Sequence, residues 1–142
     1  MLINIQTNKC LTIAGGTLSD NNLVAVQYIC DSHRSRRWHL LGSNGVYKIA
    51  NLKTGKCLTI AGGRLTDNNV RALQYDCDND RSRRWTLHAV ADDIFKVKNL
   101  QTGKCLTIAG GRLTDNNVEA VQYNCDDDRS RMWEIRSVVL HD

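Results

Sequence analysis

Nothing limits the folding of this chain more than its internal repetition. Cys10 to Trp38, Cys57 to Trp85 and Cys105 to Trp133 carry nearly the same words: Cys-Leu-Thr-Ile-Ala-Gly-Gly, Asp-Asn-Asn, Gln-Tyr-x-Cys-Asp, then Arg-Ser-Arg-x-Trp. The copies recur about every 47 residues and divide the 142-residue chain into approximately 1–45, 46–93 and 94–142 of a single domain. Cys57 to Cys105 is one residue longer than Cys10 to Cys57, and the extra residue is expected in a surface loop at Asp92 and Asp93. A unit this short cannot bury its own apolar side, so three must share one core.

Each unit is written in strands and turns. Val70 to Cys77 alternates, with Arg71, Leu73, Tyr75 and Cys77 on one parity and Val70, Ala72, Gln74 and Asp76 on the other. Gly15-Gly16, Gly62-Gly63 and Gly110-Gly111 mark a turn or bulge, and Asp20 to Asn22 with its copies marks a second turn. Stretches 45–51 and 94–99 lead into the second and third copies as strands. About four strands per unit, twelve in all, predict an all-β antiparallel barrel closed by threefold repetition, an arrangement that leaves no long edge unpaired.

The six cysteines fall as three pairs, one per copy, and allow 15 connectivities. Threefold repetition favours the one in which each copy closes its own loop: Cys10 with Cys30, Cys57 with Cys77, Cys105 with Cys125. Such bridges point to a secreted protein, six buried free thiols to a cytosolic one. The longest apolar run, Val138 to Leu140, is too short to span a membrane. No charged-then-apolar leader precedes the first copy, and Met1 omits most of its lead-in strand, which favours excision from a longer protein.

The net charge of +4 gathers in arginine clusters that each follow acidic residues, a pattern of local pairing rather than of nucleic-acid binding. No Cys-x-x-Cys is present, and Asp126 to Asp128 lacks the glycine and distal glutamate of a calcium loop, so neither metal nor cofactor is expected. His33 stands where the other copies have Asp80 and Asp128, while His39, His88 and His141 have no counterparts; no catalytic or metal site built on histidine is expected. The same small residue set offered three times suits binding better than catalysis.

The pattern Cys-Leu-x-Ile, Val-Gln-Tyr-x-Cys and x-x-Trp resembles the ricin-type (R-type) β-trefoil lectins, also called family 13 carbohydrate-binding modules, over essentially the whole chain. The resemblance implies a twelve-stranded β-trefoil with up to three equivalent shallow pockets for galactose-like or related sugars. Three departures from the family pattern occur in every copy. The glutamine of its Gln-x-Trp signature is Arg36, Arg83 and Arg131 beside Trp38, Trp85 and Trp133. Its sugar-gripping aspartate is Thr12, Thr59 and Thr107, and its asparagine before the signature is Ser35, Ser82 and Ser130.

A sugar site needs a flat apolar platform and directional polar groups. Tyr28, Tyr75 and Tyr123 occupy the family's stacking position and are the expected platform; the alternative packs them in the barrel on the parity of Val26, Leu73 and Val121. Asp31, Asp78 and Asp126 are candidate acceptors for ring hydroxyls, with a turn cap or an ion pair as the alternative. Arg36, Arg83 and Arg131 either donate to the sugar or hold that aspartate. Thr12, Thr59 and Thr107 belong to the pocket floor, the tryptophans to the core, and Asn22, Asn69 and Asn117 to turns. The expectation is a secreted, monomeric, non-catalytic lectin for terminal galactose-like or 6-deoxyhexose (rhamnose-like) units of cell-surface or polysaccharide glycans. A carbohydrate-binding module cut from a secreted glycoside hydrolase, and a protein-interaction trefoil with extinct sugar sites, remain open beside it.

Overall fold

The structure, a computed structural model, describes residues 1–136. The apolar run Val138 to Leu140 and His141 lie outside them. Twelve strands form: β1 (Leu2–Asn4), β2 (Cys10–Ile13), β3 (Ala25–Tyr28), β4 (Trp38–Ser43), β5 (Val46–Asn51), β6 (Cys57–Ile60), β7 (Ala72–Tyr75), β8 (Arg84–Ala91), β9 (Ile94–Asn99), β10 (Cys105–Ile108), β11 (Ala120–Tyr123) and β12 (Met132–Ile135). A 3₁₀ turn precedes the last strand of each copy, at Arg34–Arg36, Arg81–Arg83 and Arg129–Arg131.

The wall runs antiparallel from β4 through β5, β8, β9 and β12 to β1, and each copy adds a hairpin: β2–β3, β6–β7 and β10–β11. The expected closure is incomplete. Among the described residues β1 and β4 do not pair. Val46 to Lys48 pair with β8 and Ile94 to Lys96 pair with β12, whereas Leu2 to Asn4 match only the second half of those strands. Tyr47 and Phe95 therefore stand opposite Trp85 and Trp133, which are fully buried, while Trp38 has no such neighbour and is partly exposed.

Strand alternation separates core from site. In the first hairpin Ile13 faces Ala25 and Leu11 faces Gln27 on the inner parity, and Cys10 faces Tyr28 and Thr12 faces Val26 on the other. Leu11, Ile13 and Ala25, with their copies, join Leu2, Ile49, Val97, Trp85 and Trp133 in the core. The tyrosines lie outside it. Each tryptophan Nε1 donates to the carbonyl of Leu11, Leu58 or Leu106 at 3.0 Å, which satisfies its one polar atom.

The copies are locked in a cycle. Gln74 Nε2 donates to the carbonyls of Leu18 and Asp20 in the first copy, Gln122 to Leu65 and Asp67 in the second, and Gln27 to Leu113 and Asp115 in the third. Asn51, Asn99 and Asn4 reach back from each lead-in strand to the carbonyls of Ser35, Ser82 and Ser130. Disulfides join Cys10–Cys30, Cys57–Cys77 and Cys105–Cys125. The extra residue is absorbed in the strand before the Asp92–Asp93 turn: the β8–β9 register shifts between Ala89 and Ala91, which leaves Val90 as a bulge.

Candidate functional site

A cavity of about 240 to 340 Å³ opens at the same place in every copy, the size of a small ligand. In the second copy it is lined by Thr59, Gly62, Gly63, Arg64, Tyr75, Asp80 and Arg83, with Asn22 contributed by the first. Asn69 enters the third cavity and Asn117 the first in the same way. Each site therefore lies at a junction of two copies.

The three positions that depart from the family pattern touch one another. Thr12 Oγ1 donates to the Ser35 carbonyl at 3.0 Å, and Arg36 Nη1 donates to Thr12 Oγ1 at 3.3 Å and Ser35 Oγ at 2.6 Å. Thr59, Ser82 and Arg83, and Thr107, Ser130 and Arg131, repeat the arrangement. The guanidinium then lies over the tyrosine ring of its own copy, 4.3 Å from the centroid of Tyr28, Tyr75 or Tyr123. At that distance the cation is attracted by the ring face. Arg36 also bonds the Ile29 carbonyl and Asp31, so four of its five N–H donors are engaged within the protein. Threonine lies on the floor with its hydroxyl already committed, and the arginine, buried in the first and third copies and partly buried in the second, backs the ring.

Asp31, Asp78 and Asp126 take the alternative position, as ion-pair partners of the arginines. They do not line the cavities; they pair with Arg36, Arg83 and Arg131 at 3.3 to 3.4 Å from the outer side. The carboxylates that do reach the cavity are Asp80 and Asp128. Each caps its 3₁₀ turn, accepting from the Ser82 or Ser130 backbone N–H through Oδ1, and pairs through Oδ2 with Arg64 or Arg112. The serine N–H, followed by the serine hydroxyl, holds both below the usual carboxylate range, Asp128 at about 2. They are ionised at neutral pH.

His33 takes that place in the first cavity. Asn22, Asn69 and Asn117 do form left-handed turns, at φ of 69° to 72°, and line cavities as well. Gly16, Gly63 and Gly111 complete the floor. A Cβ there would stand 3.2 to 3.3 Å from the serine Oγ, on backbone whose φ is already positive. The repeated Asp-Asn-Asn and Gly-Gly words were the available signal for these residues. Among the described residues no group of three or more His, Cys, Asp or Glu side chains is placed to hold a metal, and no helix is long and apolar enough to cross a membrane.

A family model described as ricin-type β-trefoil lectin domain-like matches residues 1–75, 35–123 and 84–140. The fold is similar to that of ThreeFoil, a designed threefold-symmetric protein, at 20% identity over 96% of both chains with a TM-score of 0.90. It is similar to an exo-β-1,3-galactanase from Clostridium thermocellum at 22% identity and a TM-score of 0.87, over 94% of this chain and 28% of that one. A Macrolepiota procera ricin B-like lectin solved with lactose aligns at 12% identity and a TM-score of 0.75, over 93% and 89% of the two chains. No curated protein gives a significant sequence match.

Proposed function

The chain belongs to the ricin-type β-trefoil lectin domain-like family, and from that membership we propose that it is a non-catalytic carbohydrate-binding protein with up to three shallow sugar sites. One observation carries the reading: the same cavity is built three times from an arginine-backed tyrosine, a glycine-floored turn and an asparagine from the neighbouring copy. The arginine takes one face of each tyrosine, and the sugar's C–H face rests against the part of the ring that lines the cavity. Asp80 and Asp128 accept hydrogen bonds from ring hydroxyls, with the asparagine amide of the neighbouring copy beside them.

Galactose-like and 6-deoxyhexose units are the proposed ligands. Leu18, Leu65 and Leu113, each about half exposed, stand beside the first glycine of each pair and offer an apolar lip to a C6 methyl. A single pocket of this kind binds near the millimolar level, about −4 kcal/mol, and several on one rigid body raise avidity for clustered glycans. The three disulfides support a secreted setting, with the chain acting as a monomer.

A second reading, a carbohydrate-binding module within a larger glycoside hydrolase, is favoured by the galactanase, of which this chain covers 28%. Both are tested on a glycan array with the disulfides intact. Binding to terminal galactosides or rhamnosides is expected. Binding to no glycan overturns both and leaves a trefoil that engages proteins.

A further inference from the structure

The three sites are not chemically alike, and the difference is concentrated in the first. From residue 29 to residue 37 that copy carries one carboxylate, Asp31, with three arginines. The matching segments carry three each: Asp76, Asp78 and Asp80 in the second copy, Asp126, Asp127 and Asp128 in the third. Two exchanges occur together inside the cavity. Where Arg64 pairs with Asp80 at 3.3 Å and Arg112 with Asp128 at 3.0 Å, the first copy has Thr17 and His33.

The consequences follow from donor and acceptor inventory. His33 keeps the capping duty of aspartate, its Nδ1 accepting from the Ser35 backbone N–H at 3.1 Å. That bond places the neutral ring's proton on Nε2, so the group left over is a donor, where the other copies present a carboxylate that only accepts. Nε2 makes no other hydrogen bond among the described residues. The deep guanidinium differs too. Arg83 has Asp78 at 3.4 Å and Asp80 at 4.0 Å, and Arg131 has Asp126 at 3.4 Å and Asp128 at 4.0 Å. Arg36 has Asp31 alone. Among the described residues no carboxylate lines the first cavity.

We propose that the first site accepts a carboxylate-bearing sugar, such as a uronic acid, while the second and third take neutral sugars through Asp80 and Asp128. This rests on the sugar-binding reading above. A ligand carboxylate entering the second or third cavity meets Asp80 or Asp128 already paired with Arg64 or Arg112, and must compete with that carboxylate for the arginine; in the first it meets the His33 Nε2–H and Arg36, whose one carboxylate partner is Asp31. A neutral sugar loses its charge-assisted acceptor in the first site and binds there more weakly.

The test compares three proteins on one array of neutral hexosides, 6-deoxyhexosides, uronic acids and sialic acids. These are the natural chain, Thr17→Arg/His33→Asp, and Arg112→Thr/Asp128→His. Each exchange installs residues that another copy already folds with, and near-ultraviolet circular dichroism checks that the fold is kept. The natural chain is expected to bind both classes. The first variant should lose acidic glycans at least tenfold while keeping neutral ones, and the second should gain acidic glycans. Equal acidic-to-neutral ratios in all three, or a natural chain confined to neutral glycans, overturn the proposal and leave the lectin reading standing. Binding to nothing removes both.

Discussion

Arg36, Arg83 and Arg131 each do two things that lysine cannot do together. The planar guanidinium stacks on a tyrosine and at the same time forks to threonine, serine and aspartate. Arg83→Lys should therefore lower affinity at the second site more than tenfold and destabilise the fold by about 1–2 kcal/mol. Calorimetric titration and a denaturant midpoint measure the two effects separately. Asp128 gives a pH prediction. Its folded-state value is depressed from 3.8 to about 2 by the Ser130 N–H, so its cap is complete above the ordinary carboxylate value and fails as pH falls through about 2. The carboxyl signal of Asp128 in a nuclear magnetic resonance titration should stay that of an ionised group at pH 3.5, where a free aspartate is largely protonated.

At the scale of elements, the buried glutamines tie each copy to the next. Gln74→Leu strands two backbone carbonyls of the neighbouring loop, at Leu18 and Asp20, and should cost about 2–3 kcal/mol by chemical denaturation. Removing one bridge as Cys57→Ala/Cys77→Ala should cost about 3 kcal/mol, since it frees a loop 20 residues long. Twelve strands, three bridges and the Tyr–Arg–Thr set were legible because period-2 alternation and repetition act within one copy. The short lead-in of the first copy was legible as well, but its consequence, that β1 does not reach β4, needs the strand register. The bulge at Val90 escaped for a similar reason: an added residue in a strand leaves the repeat spacing the same as one in a loop. Asn22 in the second cavity and Asp80 as a turn cap were also hidden. The first contact crosses between copies, and the second arises from a 3₁₀ turn that strand periodicity does not describe.

For the whole molecule, the cyclic lock ties the three cavities to one another, since each borrows an asparagine from its neighbour. Departure from the family pattern is then one coupled change: threonine, serine and arginine bond to each other in every copy. Multivalent capture follows if the cavities bind sugars, because a clustered glycan engages several at once. The most direct test uses the best glycan from the array, immobilised, against the natural chain, the single variants Tyr28→Ala, Tyr75→Ala and Tyr123→Ala, and all three combined. Surface affinity should fall with each tyrosine whose site takes that glycan and vanish in the triple variant, which keeps its native circular dichroism because the rings lie outside the core. A folded triple variant that binds as tightly as the natural chain contradicts the account.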